Sequence, residues 1–121
     1  MEGKKTLILG ASPNPERYAY LAARSLDAHG HNIVAIGFRK GLAGPVEIQP
    51  IGEPLSDIDT ITMYLNPSRQ KEYYDYILET RPKRIIFNPG TENPELAALA
   101  LEAGIEPVVA CTLVMLSIGD Y

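Results

Sequence analysis

The sequence has a single cysteine, Cys111, so no disulfide can form within the chain, in keeping with a reducing compartment. It has no basic excess: 11 Lys and Arg stand against 15 Asp and Glu, a net charge of -4. Broad nucleic-acid binding needs a basic face to replace counterions, so it is not expected here. Long apolar runs are missing too, which excludes a helical membrane span. Met1-Glu2-Gly3-Lys4-Lys5 leads into an apolar segment too short for a signal-peptide core, and a cytoplasmic location is expected. His29 and His31 flank Gly30 with no further ligands at metal-binding spacing. No Ser/His/Asp set, catalytic carboxylate pair or zinc pattern can be assembled.

What remains is the composition of a globular protein, 45% hydrophobic and 21% charged. At 121 residues the chain suits one domain, residues 1–121, since domains commonly run to roughly 100–150 residues. Two domains do not fit.

Along the chain the hydrophobic period alternates between two and about 3.6 residues. Residues 6–9 form a β-rich run ending in Gly10-Ala11-Ser12, and Tyr18, Leu21, Ala22, Ser25 and Leu26 follow helical spacing up to His29-Gly30. A second strand is predicted over 33–36, then an extended piece near 46–51 whose status the sequence leaves open. A third firm strand is expected at 59–65, a helix at 67–80, a buried strand at 84–88, a helix at 94–103, a strand at 107–110 and a final helix at 111–118. Strands alternating with helices in this way imply an α/β fold, Rossmann-like and doubly wound, with a mainly parallel sheet and helices on both faces.

Asn14-Pro15, Asn66-Pro67 and Asn93-Pro94 each follow a strand and are expected to open a helix, with Asn capping a free amide and Pro taking the first position. In a parallel sheet all three lie on one edge, where such folds bind ligands and helix N-termini attract anions. The first turn, Gly10-Ala11-Ser12-Pro13-Asn14, has neither G-x-G-x-x-G nor an ATP-cleaving loop. Its small and polar residues nonetheless suit a pyrophosphate, with Arg17 following. A side chain at Gly10 is expected to obstruct that pyrophosphate and leave the fold intact. NAD-binding folds commonly place an acid after the second strand, whereas this chain has Arg39-Lys40. That pair suits a ribose bearing an extra phosphate, as in coenzyme A or NADP. Cys111 stands where a helix N-terminus can lower a thiol pKa, although the apolar Leu113, Val114, Met115 and Leu116 favour a packing role.

The stretch from Leu9 to Tyr18, Leu26 with His29-Gly30-His31, Phe87 to Asn93, and Cys111-Thr112-Leu113-Val114 together resemble the small CoA-binding protein family, itself similar to the CoA-binding domain of the succinyl-CoA synthetase alpha subunit. The resemblance covers nearly the whole chain. It implies that Gly10, Ala11, Ser12, Asn14, Arg17 and Tyr18 form the phosphate-binding turn, and that Arg39 and Lys40 meet the adenosine end. Asn66-Pro67 and Asn88-Pro89-Gly90 would border the other side of the ligand. Two positions depart from the family: Asn88 stands where many relatives have Gln, and Gly37-Phe38 replaces an Asn-Pro. The function implied is non-catalytic binding of coenzyme A or an acyl-CoA, as a carrier, a sensor or a module working with a second copy or an acyl-CoA enzyme. The rivals are an NADP-binding redox or sensor module and a thioester-processing enzyme using Cys111.

Overall fold

The computed structural model describes residues 3–121. Seven strands form one sheet: β1 (Thr6–Leu9), β2 (Ile33–Ile36), β3 (Leu42–Ala43), β4 (Val46–Gln49), β5 (Thr60–Met63), β6 (Arg84–Phe87) and β7 (Glu106–Val109), in the order β3-β4-β2-β1-β5-β6-β7. Every pairing is parallel except β3 with β4. Without β3, the order is that of the doubly wound nucleotide-binding fold, with its reversal between β1 and β5.

Alternation along the strands divides the core in two. Leu7, Leu9, Ile61, Met63, Ile85 and Phe87 face α3 (Tyr74–Thr80) and α4 (Pro94–Glu102). Ile8, Ala35 and Ile48 face α1 (Tyr18–Ala28) and α5 (Thr112–Ile118). The small residues Ala19, Ala22 and Ala23 let α1 lie close on its sheet face, and all three are buried.

The segment that the sequence left open is a hairpin. Leu42–Ala43 and Val46–Gln49 pair across Gly44-Pro45, so no helix joins β2 to β4. The predicted helix over 67–80 is interrupted: α2 (Pro67–Gln70) and α3 are separated by a 3₁₀ turn at Lys71–Tyr73. Three residues per turn bring Gln70 and Tyr73 onto one face, and both are buried there. Asn66 and Asn93 cap α2 and α4 as expected, accepting hydrogen bonds from Arg69 N and Leu96 N, each at 3.1 Å. Asn14-Pro15 does not open a helix. Asn14 Oδ1 accepts from Glu16 N at 3.0 Å and Asn14 O from Arg17 N at 3.0 Å, a turn with Pro at its second position. α1 then starts at Tyr18 with no side-chain cap.

Candidate functional site

Leu9 pairs with Ile36 on one side and Met63 on the other, so β1, β2 and β5 end level. The turns that follow them surround a cleft of about 520 Å³ at the topological reversal of the sheet. Its walls come from four segments: Gly10 to Asn14 with the start of α1, then Phe38-Arg39, then Tyr64 to Asn66 with Arg69, then Pro89 to Thr91.

The first turn is pinned to β2, for Gly10 N and Ala11 N both donate to Ile36 O at 2.9 Å. Gly10 has φ +97°, and a Cβ on it would lie 2.9 Å from both Leu65 N and Tyr64 C. Glycine is therefore required by the approach of two backbones. This corrects the expectation that a side chain at Gly10 would disturb only a ligand. Ser12 Oγ accepts from Asn14 N at 3.1 Å and shapes the turn from within. α1 has no side-chain cap, and while Tyr20 N turns back to Arg17 O at 3.0 Å, the amides of Tyr18 and Ala19, which line the cleft, have no partner among the described residues.

The electrostatics of the cleft differ from those of the chain. Arg17, Arg39 and Arg69 line it, and among the described residues no Asp or Glu does. Among the described residues the one ion pair is Lys83–Asp59, 3.8 Å, at the opposite edge of the sheet. Three arginines with no carboxylate partner among the described residues thus line one cavity of an acidic protein, an arrangement that attracts an anion. Tyr64 forms part of the floor, and burial pushes its phenol up to about 12, so it serves as a neutral hydroxyl.

Of the residues singled out from the sequence, the structure gathers Gly10, Ala11, Ser12, Asn14, Arg17, Tyr18, Arg39, Asn66, Pro89 and Gly90 around the cleft. Lys40, Pro67 and Asn88 are not among its lining residues. Lys40 is exposed beside Arg39, and Pro67 is the first residue of α2. Asn88 is only 2% exposed and its amide is engaged inside the protein. Nδ2 donates to Thr62 Oγ1 at 2.8 Å and Met63 O at 2.9 Å, while Oδ1 accepts from Thr112 N at 2.9 Å. Asn88 thereby fixes the end of β6 to β5 and α5, and so sets the position of Pro89-Gly90. Cys111 is the part-buried N-cap residue of α5 and is not a lining residue either.

Sequence reasoning missed Phe38, Tyr64, Arg69 and Thr91, and also Gln70, which braces the walls. Gln70 is fully buried and its Nε2 donates to Leu65 O at 2.9 Å and Thr91 O at 2.8 Å, while Oε1 accepts from Asn93 Nδ2 at 2.8 Å. A glutamine at a core position of an amphipathic pattern was the one available signal.

Fold and cleft together define a Rossmann-type α/β protein with an anion-suited site at its switch point. The chain belongs to the CoA binding domain family, which it matches over residues 4–117. It is similar to a solved structure of a protein described as uncharacterized, at 51% identity and TM-score 0.96, with all of both chains covered. A protein from Thermus thermophilus is 25% identical with TM-score 0.80, over 98% of this chain and 91% of that one. A hypothetical protein from Pyrococcus horikoshii OT3 is 27% identical with TM-score 0.76, over 93% and 80%. No curated protein matches the sequence.

Proposed function

We propose that the protein binds coenzyme A or an acyl-CoA without transforming it, as a carrier, a sensor or a partner module for an acyl-CoA enzyme. The lining of the cleft by Arg17, Arg39 and Arg69, with no carboxylate among the described lining residues, carries this reading. Coenzyme A brings a diphosphate and a ribose phosphate, and arginine pairs with phosphate through charge-assisted hydrogen bonds. The diphosphate lies across the Gly10 turn and the unpaired amides of α1, and Arg39 takes the ribose phosphate.

Titration calorimetry with CoA, 3′-dephospho-CoA, NADP and NAD tests the proposal. CoA should bind tightest, and removal of its 3′-phosphate should weaken binding by roughly 10- to 100-fold, the worth of a hydrogen-bonded charge. Arg39→Ala should abolish most of that difference. Tightest binding of NAD, or equal binding of CoA and its dephospho form, refutes it.

A further inference from the structure

The turns after β2 and β5 meet above β1. The guanidinium carbon of Arg69, on α2, lies 4.8 Å from the centroid of the Phe38 ring, which follows β2. These strands are the two neighbours of β1, two strand spacings or roughly 10 Å apart, so the contact bridges the C-terminal end of β1 where the Gly10 turn begins. Both ends of the bridge are anchored. The Phe38 ring meets Tyr73 edge-on, centroids 6.3 Å apart and planes at 64°, and Tyr73 is buried. The backbone of Arg69 donates to the side chain of Asn66 at 3.1 Å. Phe38 is nevertheless 57% exposed in a wall of the cleft, held there by Tyr73 at its edge and by the Arg69 cation over its ring.

A guanidinium held over a ring by cation–π attraction still has N–H donors free for other partners, and these donors match phosphate oxygens in pairs. We propose that Phe38 and Arg69 form a clasp over the Gly10 turn, in which Phe38 positions Arg69 and Arg69 selects ligands that carry a diphosphate bridge. This rests on the reading of the cleft as a coenzyme A site and assigns a separate task to each arginine. Arg39 reads the ribose phosphate; Arg69 reads the diphosphate that both CoA and 3′-dephospho-CoA possess.

The test is titration of parent, Arg69→Ala, Arg69→Lys, Phe38→Leu, Arg39→Ala and the Phe38→Leu/Arg69→Ala double variant with CoA and 3′-dephospho-CoA, after circular dichroism has confirmed folding. Arg69→Ala should weaken both ligands by the same factor, roughly tenfold or more, whereas Arg39→Ala weakens CoA alone. Arg69→Lys keeps the charge but not the planar fork and should recover only part of the loss. Phe38→Leu should weaken both ligands equally and more mildly. The double variant should be no worse than Arg69→Ala, since the two side chains act as a unit. Unchanged affinity in Arg69→Ala, or a loss confined to CoA, overturns the clasp. Full affinity in Phe38→Leu overturns the positioning role. A parent protein that binds neither ligand refutes the coenzyme A reading itself, a result distinct from the other two.

Discussion

Replacing Gly10 by alanine should destabilise the whole protein, and its size follows from two local costs. The new Cβ would stand 2.9 Å from Leu65 N and from Tyr64 C, well inside the usual contact distance of roughly 3.5–4.0 Å. Both neighbours are backbone atoms just past the central strand β5, so neither can rotate away. The residue must also hold φ +97°. A sparsely populated backbone conformation costs of order 1–3 kcal/mol, and overpacking typically costs another ~1–3 kcal/mol. Together they give roughly 2–6 kcal/mol, against a total stability of about 5–15 kcal/mol for an ordinary domain. In urea, with a slope of about 1–3 kcal/mol per molar, the Ala midpoint should fall by at least about 0.7 M and the slope should not change. Valine should be worse, to the point of leaving little folded protein. An Ala variant that unfolds at the parental midpoint would refute the claim that backbone proximity demands glycine, and would return Gly10 to the ligand.

Asn88→Asp is nearly isosteric but cannot donate, so Met63 O and Thr62 Oγ1 lose the amide now bonded to them at 2.9 and 2.8 Å. Because the site is buried, a loss of about 2–4 kcal/mol is expected in denaturant unfolding, and parental stability would show that the bracket between β5, β6 and α5 is unimportant. Alkaline pH should also destabilise the fold. The Tyr64 pKa is raised by burial from 10.0 to about 12, so above pH 10 the unfolded chain releases a proton that the folded chain retains. Its contribution, at most about 2–3 kcal/mol, is complete below pH 10 and is lost as pH rises through 12. Unfolding curves of parent and Tyr64→Phe should separate across that window, and identical pH dependence would contradict the assignment.

Most of the architecture was legible because the strands are short, apolar and bounded by turn residues. The strands at 6–9 and 33–36 begin and end where their apolar runs and bounding turn residues placed them. The hairpin was not legible because a two-residue strand such as Leu42–Ala43 carries no period, and its partner Val46–Gln49 has one buried side chain, Ile48. Asn14-Pro15 shows that the same dipeptide can cap a helix or form a turn. Two residues, Glu16 and Arg17, separate it from α1, and only the geometry of the β1 end decides between the two. For the site, the Gly10 turn and Arg39 could be found from their position after strands. Arg69 could not, because a charge three residues into a helix reads as a solvated face until the opposing Phe38 is placed by the sheet order. Asn88 was read as a ligand residue since it ends a strand at the binding edge. Whether its amide points to the cleft or to Thr112 depends on how α5 packs against the ends of β5 and β6, which sequence spacing does not encode.

The four segments that wall the cleft are each separated by roughly twenty residues and are joined only through the order of the strands. No fragment of the unfolded chain can assemble them, so a ligand that occupies the cleft binds the folded state alone. Ligand concentration is then coupled to the lifetime of the protein: at a hundredfold excess over Kd, occupancy adds about 2.7 kcal/mol to the cost of unfolding. A cell short of the ligand would hold a larger unfolded fraction of this protein and degrade it faster, so its abundance would follow the supply of the molecule it holds.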